Sequence, residues 1–230
     1  MDTEDLTVLV TGASRGIGAA VAEAFGREGA HVLACARDAD AIEATAEAVE
    51  RAGGTATARA VDVRDEDAVF LLLAEAVEAG LDVAVPAAAT SSGAPGTTPV
   101  TEETYEAFDE AMATNARGVF AVAREAVGFM PPEGRILVPS GSVAREPEPG
   151  MGAYAVSKAA AEGVARGFAA DAEQAVGVVD PGLVATDLTG GRGRDPADVA
   201  GLFVWAATAC PAEELNGGVV GLRDWKRATR

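Results

Sequence analysis

Tyr154 and Lys158 lie four residues apart in Tyr154-Ala155-Val156-Ser157-Lys158, at the opening of an alanine-rich stretch with a helical pattern. That spacing puts both side chains on one helical face. A phenol is a poor acid or base at neutral pH, with a reference pKa of about 10. A neighbouring ammonium favours the phenolate and lowers that value, which brings proton exchange with a substrate oxygen within reach. A Tyr–Lys pair at this spacing also occurs as ordinary surface packing, so its weight comes from its company. Twelve residues before Tyr154, Ser140-Gly141-Ser142 closes an apolar run and offers a hydroxyl that can donate to a carbonyl oxygen. Asn115, in Ala113-Thr114-Asn115-Ala116-Arg117, falls inside a helical pattern, where an amide is an indifferent helix former. It either points to solvent or holds a water that joins Lys158 to bulk.

A second constellation sits near the N-terminus. Val8-Leu9-Val10-Thr11-Gly12-Ala13-Ser14-Arg15-Gly16-Ile17-Gly18 is an apolar strand pattern that runs into three glycines and then a helix pattern. Glycines let a backbone approach a pyrophosphate, and free N–H groups at a helix N-terminus point at it. The turn closes the first strand of a βαβ unit, the context in which a glycine fingerprint signals a dinucleotide. About 20 residues on, where the 2′ position of a bound ribose is read, the next strand ends in Cys35-Ala36-Arg37-Asp38. A guanidinium there suits the 2′-phosphate of NADP, and Arg37 with Arg15 favours NADP over NAD. Asp38 reverses that choice if the strand ends one residue later.

The elements that position these residues alternate. Strand patterns at 6–11, 31–36, 56–61, 82–85, 135–139, 175–179 and 218–222 are separated by helix patterns at 17–29, 38–53, 65–79, 101–128, 153–173 and 195–209. This order predicts βαβ units and an α/β fold with a parallel sheet. The loops Ala89 to Pro99, Arg145 to Gly152 and Leu188 to Asp195 each follow a strand, on the side where such sheets bind ligands. None is long enough to be a domain linker, so residues 1–230 are expected to form a single domain.

The 230 residues carry 18 Lys and Arg against 36 Asp and Glu, a net charge of −18, with hydrophobic residues at 49%. The apolar content suffices for a full core and excludes a disordered chain. The charge argues against nucleic acid and anionic membranes as partners, since both are bound through clustered cations. Only Lys158 and Lys226 are lysines. A high-salt cytoplasm favours few lysines among many carboxylates, and a high-GC genome produces the same shift to arginine. Cys35 and Cys210 are too few and too far apart for a disulfide framework or a metal site. His31 has no second ligand near it in sequence, Trp205 falls on an apolar helix pattern, and Trp225 sits in a basic tail that either contacts a subunit or is solvated. The acidic start Met1 to Asp5 lacks the positive charge of a signal peptide, and no apolar run approaches the roughly 18 residues of a membrane span. A cytoplasmic location is the expectation.

Taken together, these residues resemble the short-chain dehydrogenase/reductase family over essentially the whole length. Thr11, Gly12, Gly16 and Gly18 match its glycine motif, Asp62 the acidic residue after its third strand, and Asn115, Ser142, Tyr154 and Lys158 its tetrad. Pro181-Gly182 and Thr186 match the motif after the sixth strand. The resemblance implies a Rossmann-type, doubly wound parallel sheet of seven strands with helices on both faces. It also implies NADP-linked interconversion of a small-molecule carbonyl and a secondary alcohol. Tyr154 then exchanges the hydroxyl proton, Lys158 binds the nicotinamide ribose and lowers the phenol pKa, Ser142 fixes the substrate oxygen and Asn115 holds a relay water. By the same analogy Ser14, Arg15, Ile17, Arg37, Asp62, Val63, Pro181, Gly182 and Thr186 line the cofactor site, with Asp62 at the adenine. The resemblance further implies a homodimer or homotetramer formed through helices 101–128 and 153–173.

The sequence also departs from that family. Pro86-Ala87-Ala88-Ala89 replaces an Asn-Asn-Ala-Gly motif, and Pro86 removes a backbone donor. Ser142 stands twelve residues before Tyr154 where thirteen is usual, which leaves Ser140 as the alternative. The short, glycine-rich stretch from Asp187 to Asp195 predicts an open site or one closed by a subunit neighbour. Arg192 and Arg194 there bind an anion or are solvated. The segments 186–191, 200–208 and 216–218 are similar to the carbonyl-reductase-like branch of the family. The changed Pro86–Ala89 segment supports a second reading, a dinucleotide-binding regulatory or assembly module without turnover.

Overall fold

The computed structural model describes residues 6–76 and 80–230. Seven strands, β1 Thr7–Thr11, β2 His31–Ala36, β3 Thr55–Ala60, β4 Val83–Pro86, β5 Arg135–Pro139, β6 Ala175–Asp180 and β7 Val219–Gly221, form one sheet in the order β3-β2-β1-β4-β5-β6-β7. Every pairing is parallel. The inner strands are apolar almost without interruption because helices cover both faces. Side chains alternate across the sheet. Val8 and Val10 pack with Val21 and Phe25 of α1 (Gly16–Arg27), Ile42 and Val49 of α2 (Ala39–Ala52) and Phe203 of the later helix Pro196–Thr208. Leu9 faces the other way, packing with Val69 and Leu73 of α3 (Glu66–Ala76) and with the helices between β4 and β6.

The order of connection reverses between β1 and β4, so the chains leaving these two strands diverge and open a crevice at their C-terminal ends. Asp38 caps α2, its Oδ1 accepting from the Ala41 N–H at 3.1 Å, and Thr104 caps α4 (Tyr105–Ala111) by accepting from the Ala107 N–H at 3.2 Å. That second cap sets the start of α4, within a stretch that departs from the sequence pattern. The stretch expected as one helix from 101 to 128 is a 3-10 turn at Val100–Glu102, then α4, a π-helical segment at Met112–Arg117, and α5 (Gly118–Ala126). β3 begins one residue earlier than its pattern. Residues 1–5 and 77–79, and with them the acidic start and the end of the expected 65–79 helix, lie outside the described residues. α6 (Gly152–Asp171) and α7 (Pro196–Thr208) match their patterns closely, while the short α8 (Ala212–Leu215) and α9 (Leu222–Ala228) had no periodic signal. In α9, Trp225 lies over Gly201 of α7, where a Cβ would meet the indole at 2.9 Å. Trp205 is buried as the apolar pattern implied, and the His31 ring contacts the hydroxyls of Thr55 and Thr57 at 2.8 and 3.3 Å. Among the described residues no helix is long and apolar enough to cross a membrane.

Candidate active site

The crevice is a cavity of about 790 Å³ at the C-terminal ends of the strands. Its floor begins at the glycine turn. Gly12 adopts φ +64°, and a Cβ there would lie 2.5 Å from the Cα of Ala88. Only glycine fits at that position. Gly16, Ile17 and Gly18 open α1 and line the cavity, and Arg15, the preceding residue, makes no side-chain cap. The first turn of α1, whose N–H groups have no side-chain cap, thus lies at the cavity wall with the positive end of the helix there.

At one end, Ala36, Arg37 and Asp38 at the exit of β2 stand beside Val61, Asp62 and Val63 after β3. β2 ends at Ala36, so Arg37 is the first residue beyond it, and the Asp38 carboxylate is engaged as the α2 cap. Arg37 is exposed, and its charge helps to hold the Asp62 carboxyl below the usual range, although the main cause there is Arg64. The Arg64 guanidinium grips both Asp62 oxygens, with Nη2 to Oδ2 at 2.6 Å, so this carboxylate is already partnered. Arg15 reaches across to Asp187 at 3.1 Å, and a Cβ on Gly16 would stand 3.1 Å from Thr186 Cγ2. The glycine turn and the segment after β6 thus meet over the cavity.

At the other end lie Pro139 to Val143, Tyr154 and Lys158. Lys158 is 7% exposed, and its Nζ donates to the Pro139 carbonyl at 2.5 Å. Burial lowers its pKa to about 8, partly offset by Glu162. Burial also pushes the Tyr154 phenol above its ordinary value. A depressed phenol pKa would therefore have to come from a positive charge brought close to the ring. Ser142 is exposed at the start of a 3-10 turn, Ser142–Ala144, while Ser140 is buried. Both line the cavity. Among the described residues, Ser140 Oγ and Thr114 Oγ1 are the buried side-chain oxygens without a hydrogen-bond partner, and Thr114 also lines the cavity. Unpaired buried hydroxyls are costly, which suits groups that a bound ligand satisfies.

The expected site residues all line this cavity except Thr11 and Asn115. Thr11 lies beneath it, its Oγ1 accepting from the Ala88 N–H at 3.4 Å. Asn115 is fully buried rather than solvent-facing. Its Oδ1 accepts from Thr90 N at 2.7 Å, and its Nδ2 donates to Thr90 O at 2.8 Å and to Ser157 Oγ at 2.9 Å. The loop after β4 is thereby tied to the π turn and to α6. Ala87, Ala88 and Ala89 line the cavity.

The segment from Asp187 to Asp195 is less open than its composition suggests. Val184 bridges to Arg194, and Arg192 lines the cavity and reaches the Pro95 carbonyl at 3.4 Å, touching the Ala89–Pro99 loop. Sequence reasoning missed Thr90 and Ser157, which hold Asn115, and Glu103, whose Oε2 accepts from Ala153 N at 2.7 Å where α6 begins. It also missed Arg145 and Glu162. For Glu162 a signal was present, since it repeats the four-residue spacing of Tyr154 and Lys158.

The model for short chain dehydrogenases matches residues 6–197. A versicolorin reductase of Emericella nidulans is 36% identical over 187 residues, covering 78% of this chain and 69% of its own. The cyclic-di-GMP-binding biofilm dispersal mediator protein of Escherichia coli is 34% identical over 222 residues, 87% and 89% of the two chains. A dehydrogenase/reductase from Sinorhizobium meliloti superposes with a TM-score of 0.80 at 34% identity, over 94% of this chain and 92% of that one. An alcohol dehydrogenase from Thermococcus sibiricus complexed with 5-hydroxy-NADP gives 0.81 at 25% identity, over 95% and 96%. The chain belongs to the short-chain dehydrogenase/reductase family, oxidoreductases that bind nicotinamide dinucleotides.

Proposed function

We propose that this protein is an NADP(H)-preferring oxidoreductase that interconverts a small-molecule carbonyl and a secondary alcohol, with binding and chemistry in one domain. The observation that carries this reading is a single cavity running from Arg37, past the glycine turn, to Tyr154 and Lys158. A dinucleotide fits the residues present: glycines at a close backbone approach, a helix N-terminus without a side-chain cap, and two unpaired hydroxyls. When bound, it supplies or accepts the hydride. Arg37 supports the 2′-phosphate preference. Arg15 contributes once it is released from Asp187, and Val63 beside Asp62 flanks the adenine end. Thr11 supports the site from below, and Pro181, Gly182 and Thr186 border the nicotinamide end.

Ser142 holds the substrate oxygen, and the partnerless Ser140 hydroxyl is the alternative that its burial favours. Tyr154 exchanges the proton at that oxygen. The Lys158 ammonium stabilises the phenolate, and Asn115 fixes the backbone around any water that feeds Lys158. The expected location is the cytoplasm.

The test is cofactor absorbance with NADPH and NADH, each offered with a panel of ketones, aldehydes and quinones. Tyr154→Phe is expected to lower kcat about 10²- to 10⁴-fold, the usual worth of a positioned acid–base group, with dinucleotide affinity little changed. Turnover that survives this change would overturn the assignment of Tyr154. One similarity bears on the second reading, a dinucleotide-binding regulatory or assembly module without turnover: the Escherichia coli relative, a cyclic-di-GMP-binding mediator protein, matches across most of both chains. Binding of a cyclic dinucleotide with no turnover on any of the panel would move the conclusion there.

A further inference from the structure

Behind the cavity, Tyr154, Lys158, Glu162 and Arg166 recur every four residues along α6. Glu162 is only 2% exposed. A carboxylate so buried needs compensation, and Arg145 supplies it from the loop after β5, its Nη1 lying 2.7 Å from Glu162 Oε1. The other arm of the same guanidinium pairs with Asp180 at the end of β6. Arg166 stands 3.9 Å from the remaining Glu162 oxygen. One arginine thus joins the serine loop, α6 and the strand that leads to Pro181-Gly182.

We propose that Glu162, with its charge balanced by Arg145, is a positioning residue that sets how firmly Lys158 holds its proton, while Arg145 fixes the serine loop against α6. The proposal rests on the reading of Lys158 as the group that stabilises the Tyr154 phenolate. The groups around Lys158 are Tyr154 and Glu162 on its own helix and the Pro139 carbonyl of β5; Glu103 lies at the helix start. Glu162 follows Lys158 by one turn on the same buried face of α6 and pairs with Arg145 and Arg166. Removing the Glu162 carboxylate takes a negative charge away from the ammonium, so Lys158 should lose its proton at lower pH. Removing Arg145 leaves that carboxylate poorly balanced, so Lys158 should keep its proton to higher pH. The two changes therefore act in opposite directions, which a merely structural role would not produce.

The chain contains two lysines, and Lys226 is exposed on α9. In a Lys226→Arg background, isotope-labelled lysine gives one NMR side-chain resonance, whose titration reads Lys158 directly with no substrate, dinucleotide or turnover. The midpoint is expected to fall by about one pH unit in Glu162→Gln and to rise by a similar amount in Arg145→Met, the scale of a close charge effect. Arg145→Lys should return it towards the starting value. Midpoints that stay put, or that move the same way in Glu162→Gln and Arg145→Met, overturn the proposal. If Arg145→Met does not fold, Glu162→Gln decides alone: an unchanged or raised midpoint rejects it. Because the measurement needs no catalysis, a protein that fails to turn over any substrate leaves this result standing.

Discussion

Arg37 is the residue on which the choice between two cofactors turns. It follows β2 directly, is exposed at the cavity end, and has beside it an Asp38 carboxylate already engaged as a helix cap. A charge-assisted bond to a phosphate contributes about 1.5–3 kcal/mol. Arg37→Ala should therefore weaken NADPH binding by roughly 10- to 100-fold and leave NADH nearly unchanged, as read by titration calorimetry. Equal losses for both would remove Arg37 from 2′-phosphate recognition. Lys158 carries a second expectation, for stability. Its folded pKa of about 8 lies below the ordinary lysine value of 10.5, so folding releases a proton between those two pH values. The wild type should gain stability relative to Lys158→Met as pH rises through that window, by up to about 3 kcal/mol in denaturant melts. Below pH 8 the burial penalty is present in full.

Elements explain which of these residues sequence could reveal. Tyr154, Lys158 and the glycine turn were legible because each depends on local spacing, one along a helix and one along a strand–turn–helix. Asn115 was legible as a motif residue but not in its surroundings: within the π-helical segment its partners are Thr90 and Ser157, which are remote in sequence. The Arg145–Glu162–Asp180 cluster depends on where a loop settles between a helix and a strand, and no periodicity encodes that. The Asn115 anchor makes its own prediction. Asn115→Ala strands a Thr90 N–H and C=O, while the Ser157 hydroxyl keeps its bond to the Tyr154 carbonyl, so about 2–4 kcal/mol of stability should be lost in thermal or denaturant unfolding. A loss below about 0.5 kcal/mol would mean that the β4 loop is anchored elsewhere.

For the whole molecule, the parallel sheet followed from the alternation of patterns and the doubly wound order from the family resemblance, whereas the closing loops followed from neither. Tyr105, Phe108, Phe120 and Val156 are exposed apolar side chains on α4, α5 and α6, the helices expected to form a subunit contact. We expect light scattering after gel filtration to show a dimer or tetramer, and Phe120→Arg to shift it towards monomer; a wild-type monomer at micromolar concentration would refute that face as an interface. In a chain of net charge −18, the cavity lining is locally balanced, with Arg15, Arg37, Lys158 and Arg192 against Asp38, Asp62, Glu148 and Asp187. The sheet order also orders backbone opening. β1 and β4 lie in the interior of the sheet with strands on both sides, whereas β3 and the three-residue β7 are its edges. Amide hydrogen exchange should thus be slowest beneath the crevice and fastest at the rims and the Ala89–Pro99 loop, because edges and loops open at the least free energy. A ligand would then meet a floor already set, and its binding would be recorded chiefly as slowed exchange around the rim.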